Sequence, residues 1–388
     1  APDPLPAWLM RIALAPNAFR GSLTALQAVE RLAAGLRASA LGPHLELISM
    51  PLADGGDGTL DVLLHGLGGM RHSVTVSNAR GAPITAEFGI LGDGKTAIIE
   101  LARASGIELL PRAERNPLLT TTYGTGELIR EAYRRGCRHF LIGIGGSATN
   151  DGGAGCLQAL GAHFLDADGR ELSLGGGALQ HLARIDVSAL RTNLPDAKFT
   201  ILCDVTNPLI GAQGASRVFG PQKGADPEMV EQLEAALTHY AQVVERDLGV
   251  QVATLEGGGA AGGFGAGMVA AFGAELVPGA PTLMNLLNYE AKLEGVQLLI
   301  TGEGKIDAQT KGGKAVQRIA AAAKARGIAV IAFAGTVEAS PSALTDMGIT
   351  AAWSILPAVT TLSEALANAP LWLTRAAHML GNTLSIKP

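Results

Sequence analysis

The sequence predicts an α/β protein with two domains, and three observations point to that fold class. Short apolar runs alternate with helical segments over most of the 388 residues, as strands and helices do around a parallel sheet. Glycine, at 51 residues, gathers in short loops between those runs. The two ends of the chain share this βαβ style, and the middle departs from it. We therefore expect a discontinuous Rossmann-like domain, residues 10–78 plus 287–388, with a mixed α/β domain, residues 79–286, inserted into it.

The first domain opens with a strand, a helix and a second strand. Arg11–Ala15 has the character of a buried parallel strand. Thr24 and Gln27 have the spacing of a capping box, which predicts that a helix follows. Leu45–Pro51 predicts the second strand, and a glycine-rich loop then leads into a helix that ends near Leu67.

The inserted domain begins with a change of pattern. Val74–Val76, Ile84–Leu91 and Lys95–Leu101 alternate apolar and polar residues, which predicts antiparallel strands. Beyond residue 120 the alternation of strands and helices returns. The elements predicted there are a helix over 125–135, a strand over His139–Ile144, a helix from Gly155, a strand over Phe199–Cys203, a helix over Pro227–Asp247, a strand over Leu298–Thr301, a helix over Ala315–Arg326, and closing strands over Ala329–Ala334 and Ala351–Ile355.

Composition excludes several classes of function. A net charge of −5, no basic block and 4% aromatic residues argue against nucleic-acid binding. Three cysteines without CxxC spacing predict neither a disulfide framework nor a zinc site, which fits a reducing, cytoplasmic setting. The stretch 260–277 is rich in glycine, so we expect a buried helix rather than a membrane span. Residues 1–9 hold three prolines and no basic segment, which predicts a flexible lead rather than a signal peptide.

One string matches the P-loop pattern. Gly89–Thr96 has two glycines at the required spacing followed by Lys95 and Thr96. A P-loop needs a helix after it, whereas here the alternation of a strand continues on both sides of the glycines. Asp93 would also place a carboxylate among the phosphate-binding amides. The pattern favours a hairpin with a three-residue turn. A kinase that uses Lys95 on phosphate and Thr96 on Mg²⁺ remains the alternative.

A second string has the form of a dinucleotide fingerprint. Gly143–Ala148 follows a predicted strand, and Asp166 lies further along the chain. In a chain so rich in glycine and alanine such strings arise by chance, so this match carries little weight. An NAD-dependent oxidoreductase and a hinged binding protein without chemistry therefore stay as weaker alternatives.

Six loops combine glycine with Asp, Asn, Lys or Ser at predicted strand ends. In open α/β sheets, ligands bind at the carboxyl ends of strands. Glycine amides hold phosphate, carboxylates hold Mg²⁺, and Arg or Lys offsets the transferred charge. One such loop is an ordinary turn, but six in one chain predict a binding site. The loops are 16–22, 53–59, 145–153, 203–208, 219–224 and 301–307.

Taken together, these loops resemble the bacterial-type (type 1) glycerate kinase family, which phosphorylates D-glycerate with ATP. The resemblance implies two α/β domains with the site in the cleft between them, Mg²⁺-ATP, no P-loop, and a product that is usually 2-phosphoglycerate. It leaves open a monomer or a homodimer, a 3-phosphoglycerate product and another small hydroxy acid as acceptor. The matching strings are APNAFRGSLTA (15–25), PLADGGDGT (51–59), GILGDGKTAIIE (89–100), NPLLTTTYGTGELI (116–129), IGIGGSATNDGGAG (142–155), CDVTNPLIGAQGAS (203–216), FGPQKGA (219–225), GAAGGFGAG (259–267) and TGEGKIDAQT (301–310).

The first loop departs from that family. Where the family commonly has Asp-Ser-Phe-Lys, this chain has Asn17, Ala18, Phe19 and Arg20. Asn17 cannot act as a base or carry charge to a metal. Arg20 keeps the positive charge but offers a planar fork in place of a compact ammonium. If this loop touches the substrate, acceptor preference or rate is expected to differ.

Residue type and loop position assign provisional roles. We expect Arg20, or alternatively Lys305, to pair with the glycerate carboxylate, and Asp204 to act as base or metal ligand, with Asp54, Asp151 and Asp307 as competitors. The catalytic candidates are Asp204, Arg20 and Lys305. The substrate-binding candidates are Asn17, Ser22, Asp54, Gly55, Asp57, Gly58, Thr59 and Asp307. The nucleotide-binding candidates are Gly145, Gly146, Ser147, Asn150, Asn207, Lys223, Gly262 and Gly263, and the metal candidates are Asp204 and Asp151.

Overall fold

The computed structural model describes residues 9–307 and 315–386. The predicted lead over residues 1–9 therefore lies almost wholly outside the described residues. The chain divides into two compact units: unit one comprises residues 1–54 and 280–388, and unit two comprises residues 55–279.

Thirteen strands and fourteen α-helices are present among the described residues. The strands are β1 (Met10–Pro16), β2 (Leu45–Ser49), β3 (Gly69–Ser77), β4 (Pro83–Leu91), β5 (Thr96–Glu100), β6 (His139–Gly143), β7 (His163–Leu165), β8 (Arg184–Asp186), β9 (Lys198–Leu202), β10 (Glu275–Val277), β11 (Leu298–Ile306), β12 (Ala329–Val337) and β13 (Ala351–Ser354). The helices are α1 (Ala25–Arg37), α2 (Thr59–Leu67), α3 (Ala102–Ser105), α4 (Tyr123–Arg134), α5 (Ala154–Leu160), α6 (Ser188–Asn193), α7 (Ala215–Phe219), α8 (Pro227–Leu248), α9 (Phe264–Phe272), α10 (Gly279–Leu286), α11 (Tyr289–Lys292), α12 (Ala315–Lys324), α13 (Pro341–Asp346) and α14 (Leu362–Leu384).

Unit one is built on a five-stranded parallel sheet with the order β13-β12-β11-β1-β2. The strand β1 lies inside the sheet and is almost fully buried, as its apolar run predicts. The predicted capping box is confirmed, because Thr24 and Gln27 bond to each other's backbone amides at the start of α1. The helix α1 packs closely on α14 at Gly35, where an added Cβ would meet the Thr374 carbonyl oxygen at 2.2 Å.

Unit two is built on a six-stranded mixed sheet with the order β10-β9-β6-β5-β4-β3. The four strands from β10 to β5 are parallel, and β4 and β3 continue the sheet in antiparallel fashion. The short pair β7–β8 stands apart as a two-stranded sheet. The predicted antiparallel start and parallel continuation of this region are confirmed.

The P-loop alternative is wrong. The strands β4 and β5 pair as an antiparallel hairpin, with Gly89 opposite Ile98. Asp93 closes the turn by accepting hydrogen bonds from the backbone amides of Lys95 and Thr96 at 2.9 and 2.8 Å. A strand follows the glycines where a P-loop requires the N-terminus of a helix.

The first boundary between the units differs from the prediction. The sequence places it after residue 78, and the units divide between residues 54 and 55. The intervening segment belongs to unit two because β3 pairs with β4 along its whole length and α2 packs on the same strand. Alternation of strand and helix continues through this segment, so the sequence gives no break at residue 54. The second boundary lies between residues 279 and 280 instead of 286 and 287.

Two helical segments complete the comparison with the predicted elements. The stretch 260–277 contains α9, whose first five residues are buried, and this confirms the buried helix. No helix among the described residues has both the length and the hydropathy needed to cross a membrane. The closing helix α14 was not predicted, although Thr361 and Glu364 form a capping box at its start. The sequence does not indicate this helix clearly because Pro370 lies inside it, and proline normally interrupts a helical pattern.

Candidate active site

The loops that follow β6 and β9 leave the sheet of unit two at one edge. These strands are parallel neighbours, so their carboxyl ends lie side by side. Gly55 lies against the loop after β6, where the Gly145 amide donates to the Gly55 carbonyl oxygen at 3.3 Å. A Cβ on Gly143 would meet that oxygen at 2.5 Å, and one on Gly145 would meet the Gly56 Cα at 2.7 Å. The structure therefore brings the start of the predicted substrate loop onto the predicted phosphate loop.

The two glycine-rich segments predicted to hold nucleotide phosphates, 145–153 and 257–267, also pack on each other. The second of them forms a loop over 257–263 and then enters α9. The Gly152 amide donates to the Gly262 carbonyl oxygen at 2.9 Å. Gly262 has φ +66°, and an added Cβ would meet the Thr149 carbonyl oxygen at 2.0 Å. An added Cβ on Gly263 would meet the Gly152 Cα at 2.9 Å. Only glycine fits this close approach of two backbones.

The interpretation of Gly143–Ala148 as a dinucleotide-binding fingerprint is wrong. The loop after β6 extends to Gly153, and α5 begins at Ala154. A fingerprint of this type requires the helix to begin within the glycine string. Ser147 lies inside the loop, is buried, and forms a bridge with Gly106.

Asp151 lies deep beneath this loop, with its carboxylate enclosed by donors. Its Oδ2 accepts from the Thr122 amide at 2.8 Å and the Thr122 hydroxyl at 2.9 Å, and the Thr121 hydroxyl donates at 3.3 Å. The Gly153 amide donates to Oδ1 at 3.2 Å, and the Gly155 amide donates to Oδ2 at 3.3 Å. Burial raises the pKa of Asp151 even though these bonds oppose it. This saturated environment favours a structural role over the predicted role as a metal ligand.

Lys223 is a buried lysine that packs against the backbone of the same loop. Its side chain is 2% exposed, and its Nζ donates to the Thr149 carbonyl oxygen at 2.6 Å. Burial lowers the pKa of Lys223 to about 7, although the charge of Asp151 opposes that shift. Lys223 therefore stabilises the loop backbone through its hydrogen bond to the Thr149 carbonyl oxygen.

Two buried oxygens beside Lys223 lack hydrogen-bond partners among the described residues: Thr149 Oγ1 and Asn150 Oδ1. The other end of the Asn150 amide is held, because Nδ2 donates to the Ser216 hydroxyl at 3.0 Å. Unpaired buried oxygens of this kind are costly and are normally met by a ligand or a water.

Asp204 and Asn207 lie in the loop after β9. Asp204 is exposed, and its Oδ1 accepts from the Gly279 amide at 2.8 Å. Asn207 shapes the loop, since its Nδ2 donates to the Gln213 carbonyl oxygen at 2.8 Å and its own backbone carbonyl accepts from the Gly259 amide at 2.9 Å.

Among the residues described, no group of three or more His, Cys, Asp or Glu side chains could hold a metal ion. Mg²⁺ needs no such group, because it binds through one or two carboxylates, waters and substrate phosphates.

The rest of the predicted substrate loop leads into α2. Thr59 is buried, and its hydroxyl donates to the Gly56 carbonyl oxygen at 2.7 Å. Gly58 precedes the helix with φ +91°, and Asp57 is exposed. Asp54 is the last residue of unit one. Thr59 therefore stabilises the loop through its side-chain hydroxyl.

In unit one, the first loop lies against Gly302 and Gly304 of β11. The Asn17 amide donates to the Gly302 carbonyl oxygen at 2.8 Å, and the Asn17 side-chain oxygen accepts from the Ala18 amide at 2.8 Å. The Ser22 hydroxyl donates to the Phe19 carbonyl oxygen at 3.0 Å, so its proton is used within the turn. Arg20 is exposed near the tip of the loop.

Lys305 is held by carboxylates at the end of β11. Its Nζ lies 2.9 Å from Glu338 and 3.7 Å from Asp307, and the side chain is half exposed. The hydrogen bond that Lys305 donates to the Glu338 carboxylate raises the pKa of Lys305. The sequence analysis missed Glu338 because β11 and β12 are brought together only by the parallel sheet.

Glu100 and Thr122 are further residues that the sequence analysis did not assign. Glu100 is buried at the end of β5, and burial raises its pKa. Thr122 binds Asp151 through both its amide and its hydroxyl. A run of three threonines over 120–122 is the one sequence signal that could have pointed to that pair.

Comparison with known proteins identifies the family. The glycerate kinase family model matches residues 12–385. The chain is 44% identical to glycerate 2-kinase of Escherichia coli K12, over 97% of this chain and 98% of that one. It is 43% identical to a glycerate kinase of Halalkalibacterium halodurans, over 95% and 96% of the two chains. A crystal structure of a protein assigned as glycerate kinase 2, from Salmonella typhimurium LT2, superimposes with a TM-score of 0.84 at 45% identity, over 97% and 98% of the chains. The chain belongs to the glycerate kinase family.

Proposed function

We propose that this glycerate kinase transfers the γ-phosphoryl group of ATP to the 2-hydroxyl of D-glycerate and releases 2-phosphoglycerate and ADP. The observation that carries the choice of hydroxyl is the 44% identity to the Escherichia coli relative named glycerate 2-kinase, over 97% of the chain. In the reaction, the hydroxyl oxygen forms a bond to the γ-phosphorus, the bond to the ADP oxygen breaks, and the hydroxyl proton passes to a base.

Residues of unit two supply the groups that ATP requires. We assign the paired loops 145–153 and 257–263 to the phosphates of ATP. The buried Thr149 hydroxyl would donate to a phosphate oxygen, and the Asn150 side-chain oxygen, which only accepts, would bond to a hydroxyl or amino group of the nucleotide. Lys223 keeps this backbone in place through the Thr149 carbonyl. Because the Lys223 side chain is buried against the loop backbone, we assign it no direct contact with phosphate.

The exposed carboxylate of Asp204 suits either of two tasks. It would accept the proton of the acceptor hydroxyl, or it would be the protein ligand of Mg²⁺. When bound, Mg²⁺ neutralises negative charge on the phosphates. Arg20 in unit one is the cation we assign to the glycerate carboxylate, because Lys305 is already held by Glu338.

A coupled assay tests the proposed product. The enzyme receives D-glycerate, ATP and Mg²⁺, with enolase and pyruvate kinase present and phosphoglycerate mutase absent. We expect pyruvate at the rate of ADP formation, because enolase accepts 2-phosphoglycerate. ADP without pyruvate would place the phosphate on the 3-hydroxyl, and ADP that forms only with another hydroxy acid would change the acceptor.

The substitution Asp204→Asn tests the assigned carboxylate. It removes the charge and the basic site while preserving an oxygen for the Gly279 amide. We expect kcat to fall by about 10²-fold or more, the usual contribution of a general base. Asp168→Asn, on an exposed turn, is the matched control and should retain full activity. Near-normal turnover of Asp204→Asn would move the role to Asp54 or Asp307.

A further inference from the structure

Glu100 is a buried carboxylate that the proposed chemistry does not use. It is the last residue of β5, and its side chain is 1% exposed. Burying a carboxylate is costly unless hydrogen bonds and opposite charge satisfy it. The groups that satisfy Glu100 therefore show what the side chain does.

One oxygen of Glu100 holds the first turn of α2. The Leu60 amide donates to Oε1 at 3.0 Å. Because α2 begins at Thr59, the Leu60 amide is one of the donors that no carbonyl within the helix can reach. A negative charge at this end of a helix also interacts favourably with the helix dipole.

The other oxygen of Glu100 is fixed by Arg103, whose Nε donates to Oε2. The Arg103 guanidinium also lies 2.8 Å from Glu87 and 3.5 Å from Asp61. Arg71 completes the network at the surface, 2.7 Å from Glu87. The carboxylate of Glu100 is thus held in one orientation by Arg103 of α3 and accepts from the start of α2.

The segment before α2 is therefore anchored at both ends. At its start, the Gly55 carbonyl oxygen accepts from the Gly145 amide at 3.3 Å. At its end, Glu100 holds the Leu60 amide. Between the two anchors, Asp57 is exposed to solvent.

We propose that Glu100 is a positioning residue for the substrate loop, residues 55–59, and that it acts through the Leu60 amide. It does not touch D-glycerate; it sets the place of the loop that we assigned to that substrate. The proposal rests on the proposed function of this loop in binding glycerate. It predicts that weakening the bond between Glu100 and Leu60 impairs the use of glycerate far more than the use of ATP.

The substitution Glu100→Gln is the first test. The carboxylate has two oxygens for two donors, whereas the amide has one oxygen, so either Leu60 or Arg103 loses its acceptor. We expect the KM for D-glycerate to rise about tenfold, the effect of losing one buried hydrogen bond. The KM for ATP should stay within about twofold, since the loop over 145–153 keeps its own contacts.

A rescue variant and a control separate positioning from general damage. In Glu100→Gln with Arg103→Met, the single amide oxygen is available to Leu60, so the KM for D-glycerate should return to within about threefold of the wild-type value. Glu87→Gln removes a charge from the same network without touching Leu60 and should leave that KM within about twofold.

Several outcomes would overturn the proposal. They are an unchanged glycerate KM in folded Glu100→Gln, an equal rise in both KM values, or no recovery in the double variant. If Glu100→Gln does not fold, Glu100→Asp replaces it, because it keeps both oxygens and the charge but withdraws them by one methylene from Leu60. It should then raise the glycerate KM selectively. Wild-type enzyme that forms no ADP with glycerate would instead refute the proposed function.

Discussion

At the scale of single residues, Lys223 shows how burial changes the chemistry of a side chain. A lysine in water keeps its proton to about its ordinary pKa of 10.5, and burial lowers the pKa of Lys223 to about 7 in the folded protein. Its ammonium is partly satisfied by the Thr149 carbonyl oxygen. Sequence reasoning selected this lysine for its place in a glycine-rich loop and could not anticipate its burial.

The substitution Lys223→Met should change how stability depends on pH. Between about pH 7 and pH 10.5 the unfolded chain holds a proton on this lysine that the folded chain has released. The free energy of unfolding of the wild type should therefore rise with pH relative to Lys223→Met, by at most about 1.4 kcal/mol per pH unit. Urea unfolding at pH 7, 8 and 9 measures the difference.

The control for that experiment is Lys198→Met, an exposed lysine at the start of β9. Its difference from the wild type should not vary with pH over the same interval. A constant difference for Lys223→Met as well would mean that the buried lysine keeps its proton throughout.

At the scale of elements, the hairpin β4–β5 explains why a string that matches the P-loop pattern does not form a P-loop. The residues that would bind phosphate in a P-loop instead close a turn around Asp93. The substitution Lys95→Ala should leave the KM for ATP within about twofold of the wild type, because its backbone amide and not its side chain holds the turn. Loss of nucleotide binding in a folded variant would contradict the hairpin interpretation.

The contact between α1 and α14 makes a prediction for Gly35. Replacing glycine by alanine in a helix normally gains about 1 kcal/mol, but here the added methyl would meet the Thr374 carbonyl oxygen at 2.2 Å. We expect Gly35→Ala to lower the free energy of unfolding by about 1–3 kcal/mol, the cost of overpacking. Ala34→Ser, at the exposed neighbouring position, is the control and should change it by less than about 0.5 kcal/mol.

At the scale of the whole molecule, a unit can fold alone only if one continuous segment of the chain contains all of its strands. Unit two is one continuous segment, residues 55–279, and contains its complete six-stranded sheet and its own apolar core. Unit one takes β1 and β2 from the start of the chain and β11, β12 and β13 from the end. Its sheet is therefore incomplete until β13, which ends at Ser354, has been made.

Expressed alone, residues 55–279 should fold and unfold in a single cooperative transition, because no strand of their sheet is missing. Residues 1–54 alone should show none, because two strands and one helix bury too little apolar surface. Thermal melts followed by near-UV and far-UV circular dichroism make the comparison. A fragment 55–279 with native far-UV signal and no near-UV signal would contradict the prediction.

Features that depend on local chemistry follow from the amino-acid sequence alone. The capping box of Thr24 and Gln27, the turn around Asp93 and the apolar runs of the parallel strands each depend on residues a few positions apart. The family follows in the same way from motifs read in their order along the chain. The fold class, with a parallel-sheet domain drawn from both ends of the chain, could therefore be predicted.

Contacts between residues that are distant in the chain appear only once the protein has folded. Folding joins Glu100 to Leu60 and Lys305 to Glu338, and it encloses the Asp151 carboxylate with donors from two segments. Whether a carboxylate binds a metal, a helix or its own loop depends on burial and on neighbouring donors. Those are properties of the packed chain, because desolvation and hydrogen bonding act between groups that folding alone brings together.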